Sequence, residues 1–404
     1  MKTITILNSM KSGYFMLVVC VTLLSGVTAC SNEEFGAAAP EASRTIKTRA
    51  AEPLPVSMTA HKKEVRIRCL TTETVTVYWG DEDSTQIYRG DNSEHKYTFA
   101  VEQGEYYINI KAHKNSILEL DVAANELSHL NVENNINLKV LKCNHNNLKS
   151  LLLTGCSNLR TIFAQFNELS EINLTELYYL NELDLSSNQF SREIDFSKNP
   201  NLHSLTLERN NIPGLDVSQN RHLQHLNIGG NAITDLDLTN NTDLHNLSLY
   251  NLPLLTLNNQ PLSGTSFSSF TLLESLNIQN IPFDALDLSS NKFIRKLAIM
   301  GTNIKNLDLT EVSIDELYAY DSQLTTIKCI SASLHDCYFI DIMNTPFEKQ
   351  DSEYLSNFVE NNIPDRNEPT RDGYVIGGII ATFSPDIIKF ENTRLKLLNW
   401  YVIH

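Results

Sequence analysis

Cysteine is scarce in these 404 residues, seven in all, and no two form a CxxC pair. A structural zinc site, which draws its thiolates from such pairs, has no support in that spacing. Positive charge is also in deficit, with 32 Lys and Arg against 48 Asp and Glu, for a net charge of −16. Such a surface repels phosphate backbones, which argues against a nucleic-acid partner, and it keeps an exposed protein soluble. No apolar run reaches the roughly 20 residues that a bilayer-spanning helix needs. Absent too are GxSxG, Walker-type, HExxH and dinucleotide-binding fingerprints. Acidic pairs occur, but nothing in the sequence sets one beside a pocket. The expectation is a chain that is not an enzyme and needs no cofactor or metal.

The N-terminus carries Lys2 and Lys11, an apolar run from Tyr14 to Leu24, and small residues up to Cys30. That order is a positive region, a signal-length apolar core and a cleavage site, giving a signal peptide over 1–29. Removing it takes away two lysines and no acid, moving the charge from −16 to about −18. Val27-Thr28-Ala29-Cys30 resembles the lipobox of bacterial lipoproteins, which implies acylation of Cys30 and a membrane attachment through it. The following Ser31-Asn32-Glu33-Glu34 resembles the surface-export signal of Bacteroidetes lipoproteins, which implies an outer-membrane protein facing the cell exterior; retention on the periplasmic face is the alternative. Residues 30–52 lack apolar periodicity and read as a flexible tether.

Over 53–116 apolar residues alternate: Val65, Ile67, Cys69; Val75, Val77, Trp79; Tyr97, Phe99; Tyr106, Ile108, Ile110. Period two between turn residues predicts a small all-β antiparallel sandwich. Trp79-Gly80-Asp81, His95-x-Tyr97 and Gly104-x-Tyr106-x-Ile108 resemble the PKD-like immunoglobulin-fold module, which implies a spacer that also covers the open edge of the first repeat. Asp81-Glu82-Asp83 reads as a solvated turn rather than a calcium loop.

From Ile117 onward one pattern repeats. A unit runs Leu138-x-x-Leu141-x-Cys143-x-x-Asn146-x-Leu148, and its second apolar position recurs as Leu120, Leu141, Ile162, Leu183, Leu205, Leu226, Leu247, Leu276, Leu297, Leu317 and then Cys337. The steps are 20 to 22 residues, apart from one of 29 that carries an insertion near Gln260–Ser268. Alternation makes each Leu-x-Leu a short strand with its leucines inward. One unit cannot enclose its own apolar face, so units must stack into a parallel sheet. Asn125, Asn146, Asn167, Asn188, Asn210 and Asn231 sit where the chain leaves the strand and can satisfy backbone groups of the turn. At that position the later units carry Leu252, Ile281, Thr302, Ser322 and Ile342, so their turns are expected to differ. Four of the cysteines fall at leucine or asparagine positions and read as small buried hydrophobes.

The pattern over 117–344, about 11 repeats, resembles the leucine-rich-repeat family, LxxLxLxxNxL. Its second half, Leu215-Asp216-Val217-Ser218-Gln219-Asn220, looks like the short repeats of internalins and of Bacteroidetes surface proteins. The resemblance implies an α/β-type solenoid with a parallel sheet on its concave face. Residues 345–404 read as a C-terminal cap with helices near Glu353–Asn361 and Thr393–Leu398, a strand at Tyr374–Ile376, and the words IPDR and NWYVI that resemble Bacteroidetes caps.

Read unit by unit, the outward strand positions are small and polar in the middle, and Met300, Tyr318, Tyr320, Tyr338 and Ile340 gather near the end, with Asp321 and Asp341 alongside. An exposed tyrosine-rich patch marks recognition of a host or bacterial surface protein. Tyrosine stacking and aspartate acceptors also suit sugar rings, so a glycan-capturing lipoprotein of a nutrient-uptake system is a second reading. A third is a spacer without ligand, in which the cap covers these residues. His145, Phe163 and Phe166 form a smaller patch. Asp195, Asp216, Asp237, Asp287 and Asp308, each followed two residues on by Ser or Thr, read as structural hydrogen-bond ladders. His203, His222, His225 and His245 read as exposed loop histidines rather than metal ligands.

Overall fold

The computed structural model describes residues 56–80, 85–100, 104–112, 116–264 and 266–329, and beyond them 333, 337, 339–342, 344–346, 378–380 and 401–403. The signal peptide, Cys30, the tether, the Asp81–Asp83 turn, Tyr338 and the two expected cap helices lie outside these residues.

The N-terminal part is antiparallel: β1 (Val56–Ala60), β2 (Glu64–Tyr78), β3 (Thr85–Asp91), β4 (His95–Thr98) and β5 (Tyr106–Ala112). The alternation read in the sequence places Val65, Ile67, Cys69, Val75, Val77, Trp79, Ile108 and Ile110 inward, all buried. Trp79 stacks on Tyr97 at 4.9 Å and Phe99 on Tyr106 at 3.8 Å, and Trp79 Nε1 donates to Gln86 at 3.1 Å.

Two strands of the first coil follow, β6 (Ile117–Asp121) and β7 (Leu127–Asn131). Next come β8 (Val140–Lys142), β9 (Thr161–Phe163), β10 (Glu182–Asp184), β11 (Ser204–Thr206), β12 (His225–Asn227), β13 (Asp235–Leu236), β14 (Asn246–Ser248), β15 (Thr256–Leu257) and β16 (Gln260–Pro261). The chain continues with β17 (Ser275–Asn277), β18 (Lys296–Ala298), β19 (Asn306–Asp308), β20 (Glu316–Tyr318), β21 (Thr326–Lys328), β22 (Phe339–Asp341), β23 (Gly378–Ile380) and β24 (Tyr401–Ile403).

The main sheet is parallel from β6 through β8–β12, β14, β17, β18, β20 and β22 to β24. Its central residues pair as Leu120–Leu141–Ile162–Leu183–Leu205–Leu226–Leu247–Leu276–Leu297–Leu317, the column expected from the repeat. All are buried, and each such side chain stabilises the stack by about 1.5–3 kcal/mol. The chain is a solenoid of leucine-rich coils.

Two expectations change. Apart from the five-residue β7, the return segments contain turns and two- or three-residue strands, and no α-helix occurs among the described residues, so the α/β description gives way to an all-β coil. Leu317 pairs with Ile340, not Cys337, because the last step is 23 residues rather than 20. The parallel sheet also runs on past 344, through β23 and β24, within the segment read as the C-terminal cap.

Both sides of the first coil are closed by the N-terminal strands. β2 pairs antiparallel with β6 on the main sheet, and β1 pairs antiparallel with β7 on the return side. The backbone groups that an open first coil would leave bare are therefore bonded within the chain.

Two buried polar columns fix the turns. In the first, Asn167 Nδ2 donates to Cys143 O at 2.9 Å and Ala164 O at 3.1 Å, while its Oδ1 accepts from Leu148 N at 3.0 Å. Where asparagine ends, hydroxyls take over the bond to the carbonyl three residues back: Thr302 to Ile299 O at 2.7 Å and Ser322 to Ala319 O at 2.6 Å. With the corrected register the last member is Thr345, donating to Ile342 O at 2.7 Å, and Ile342 itself is core. The second column, Asn199, Asn220, Asn241 and Asn291, is fully buried, and each amide donates to carbonyls of the preceding coil. Cys156 and Ser333 occupy the same column and donate in the same way to Val132 O and Leu309 O.

Candidate interaction surface

In each strand triplet the leucine points inward and the residues on either side of it point out. Ser204 and Thr206, His225 and Asn227, and Asn246 and Ser248 are half-buried, covered only along the sheet. Two residues further along each coil comes another outward position, followed by a residue in the left-handed region. Ala124, His145, Phe166, Ser187, Arg209, Gly230, Asn251, Asn280, Gly301, Asp321 and Asn344 all have φ between 52° and 68°. Six of the eleven are Gly, Asn or Asp, the residue types that enter this region most readily. At nine of the eleven an amide or hydroxyl side chain follows and holds the turn, and at the non-glycine positions among them that bonding meets a backbone cost of about 1–2 kcal/mol.

At the centre of the face, Tyr250 lies flat across a neighbouring coil. A Cβ placed on Gly229 would meet Tyr250 Cδ1 at 2.1 Å, so the ring occupies the space that any other side chain would fill. The hydroxyl donates to Glu208 Oε2 at 3.0 Å, two coils from its own backbone, and Asn227 Nδ2 donates to the same oxygen at 2.7 Å. Burial and the nearby Glu208 carboxylate push the Tyr250 hydroxyl up to about 12. Glu182 and Asp184 face the same trough. Burial raises both carboxyls, helped at Glu182 by Asp184 and opposed at Asp184 by bonds from Ser186. Glu208, Gly229 and Tyr250 stand on the outward positions of the repeat, but their combination was not singled out from sequence. The available signal was a lone glycine in that column, one coil before a tyrosine.

The expected C-terminal patch is brought together only in part. Met300 is 2% exposed, flanked on the neighbouring coils by Gln279 and the larger Tyr320. Ile340 is 1% exposed because the 23-residue step turns it into the inward column. Asp341 faces outward but is 7% exposed, beside Tyr318 on one side and strand β23 on the other. These three leave the accessible patch. Tyr318 and Tyr320 are half-buried and Asp321 is exposed. The Tyr318 ring packs on Phe339 at 4.8 Å, and its hydroxyl donates to Glu316 Oε2 at 3.0 Å, with Lys296 paired to the same carboxylate. Burial, then the Glu316 charge, raises the Tyr318 hydroxyl well above its ordinary value.

Of the smaller patch, two members meet and the third, Phe163, lies by a lysine. His145 stacks on Phe166 at 4.4 Å with planes 10° apart, and Lys142 Nζ lies 6.0 Å from the Phe163 ring centre. The aspartate ladder is structural as expected: Asp195, Asp216, Asp237, Asp287 and Asp308 each accept from the amide two residues on, at 2.8–3.0 Å. His203 and His245 bond the carbonyls of Asn201 and Asp243, and His225 Nδ1 accepts from Asn246 at 2.7 Å. No group of three or more His, Cys, Asp or Glu side chains among the described residues is arranged to hold a metal ion. Cys69, Cys143, Cys156 and Cys337 are buried free thiols and Cys329 is half-buried. On the return side, where the pairing Asn131–Leu152 is not continued to the next coil, a cleft of about 330 Å³ opens between Ser150–Thr154 and Glu171–Leu177.

No protein-family model matches the chain, and no curated protein matches it. Solved structures with similar coils include an internalin of Listeria monocytogenes, at 21% identity over 67% of this chain and 88% of that one, with a TM-score of 0.42. A leucine-rich-repeat protein of Leptospira interrogans is similar at 16% identity over 72% and 84%, TM-score 0.44. In an LRIM1/APL1C complex the likeness covers 70% of this chain at 18% identity, TM-score 0.48, and this chain spans about half (53%) of that one.

Proposed function

We propose that this chain is a binding protein, without catalytic activity of its own, that recognises a protein partner through the open face of its parallel sheet. The observation that carries the reading is the uncovered trough between β10 and β17. Over those coils the strand side chains that face outward are polar and mostly half-buried by one another, and no described segment lies across them. A broad, rigid, preformed face of this kind suits recognition of another macromolecule better than enclosure of a small molecule.

The N-terminal strands, which resemble a PKD-like module in sequence, serve in this reading as the cover of the first coil and as the spacer from the membrane. Cys30 carries the acyl anchor, and the chain sits on the outer membrane facing outward. Filling the trough tests the binding face. Thr206→Trp with Ser248→Trp abolishes capture of partner protein at the cell surface, whereas Asn259→Trp on the return side leaves it intact; equal capture by both variants contradicts the reading. For the anchor, Cys30→Ser releases the chain into the soluble fraction, and protease added to intact cells removes the wild-type protein.

A further inference from the structure

We propose that the central trough is an arginine-recognition subsite, in which Tyr250 supplies a stacking platform and the carboxylates of Glu208 and Asp184 take the guanidinium of a protein partner's side chain. The inference rests on the reading of the open sheet face as the binding surface, and it adds where on that face the partner is held and by what chemistry.

The Tyr250 ring is fixed before any partner arrives. Gly229 leaves room for it to lie on the sheet, and the bond to Glu208 holds its far end. An aromatic side chain already ordered in this way loses little conformational freedom on binding, which is what distinguishes an anchor from an incidental contact. Its outward face meets the open trough, and a cation over such a face is attracted by the ring's quadrupole.

The carboxylates beside the ring carry no ion pair. Among the described residues neither Asp184 nor Glu208 is within salt-bridge distance of a cation. Arg209 bonds the hydroxyl of the Tyr250 ring rather than a carboxylate. At the C-terminal end of the sheet, by contrast, the carboxylate and the tyrosine are already engaged, Lys296 with Glu316 and Tyr318 with Phe339. The centre is thus the part of the face whose carboxylates have no ion pair among the described residues. Burial, with the Glu208 charge adding to it, raises the Asp184 carboxyl, a penalty that an arriving cation relieves. A guanidinium fits both features because it is planar, stacks on a ring and donates bidentately to carboxylates. An ammonium does only the last of these, and less well.

The experiment is calorimetric titration of the full chain at low ionic strength with a capped Gly-Arg-Gly-Arg-Gly peptide, its lysine analogue and its neutral citrulline analogue. The arginine peptide binds, the lysine peptide binds more weakly, and the citrulline peptide does not bind. Tyr250→Ala and Glu208→Gln each weaken arginine binding about tenfold, the scale of an anchor residue. Gly229→Leu, which displaces the ring, weakens it to the same extent with an unchanged circular-dichroism spectrum. Absence of binding by the arginine peptide overturns the proposal, as does equal binding of the lysine peptide with equal losses from the return-side variant Asp237→Asn. If Tyr318→Ala abolishes binding and Tyr250→Ala does not, the subsite is wrong and the open-face reading stands. If no sheet-face variant alters binding, both fall.

Discussion

Asn167 makes three bonds with one side chain: two carbonyls take its amide hydrogens, and its oxygen accepts from one backbone amide. Removing it leaves buried backbone groups of two coils without partners, at about 1–3 kcal/mol for each group so stranded. Asn167→Ala is expected to cost about 2–4 kcal/mol in urea unfolding, and Thr302→Val, which loses a single bond, about 1 kcal/mol. Equal costs would contradict the roles assigned to the two positions. The first column was legible because asparagine at a fixed step is rare by chance. The hydroxyls that replace it were not, since their bond to the carbonyl three residues back depends on a turn geometry that no single residue announces. The left-handed column, with Gly, Asn or Asp at six of its eleven positions, was not singled out, and it carries its own test. Ser187→Gly, at φ 52°, is expected to raise stability by about 0.5–1 kcal/mol. Gly301→Ala is expected to lower it, because φ is +64° there and a Cβ would meet Asn280 Oδ1 at 2.0 Å.

At the scale of elements, the strand triplets were readable from period alone, because a leucine shifted by one place would turn its side chain out of the core. The last coil was not readable. Cys337 and Ile340 are both apolar and lie three residues apart, and only pairing with Leu317 selects the second. That single choice moved Ile340 from the surface to the core and removed it from the candidate patch. The role of β2 was legible as a cover but not in its form, since one 15-residue strand bonds β3 and β5 along its second half and β4 and β6 along its first. Ile67→Asp places a charge in the fully buried wall beside that junction. The first coils should then lose protection in hydrogen exchange while those around Leu276 keep theirs, as nearest-neighbour stacking requires. Uniform loss along the chain would show that the N-terminal strands do more than close one end.

Across the whole molecule the net charge is −16, and the aspartate ladder sets how stability answers acid. The Asp195, Asp216 and Asp287 carboxyls are held below their ordinary value mainly by hydroxyl and amide bonds, and Asp308, held first by Lys328 and then by Thr310, is lowered to about 2. A carboxyl depressed on folding stabilises the folded chain above its unfolded pKa, near 4, and that stabilisation is lost as pH falls through the depressed value. The melting temperature should therefore hold down to about pH 4 and drop between there and about pH 2; a flat profile over that window would contradict the ladder's part in stability. Function is the portion that neither repeat nor fold specifies, because the scaffold fixes the columns and leaves the outward residues free to vary. The most direct test of the open-face account is photo-crosslinking from single sites on intact cells, comparing a photoreactive residue at Ser248 with one at Thr256. The account predicts a discrete protein adduct from Ser248 and none from Thr256, and adducts from Thr256 alone would place the partner on the other side of the solenoid.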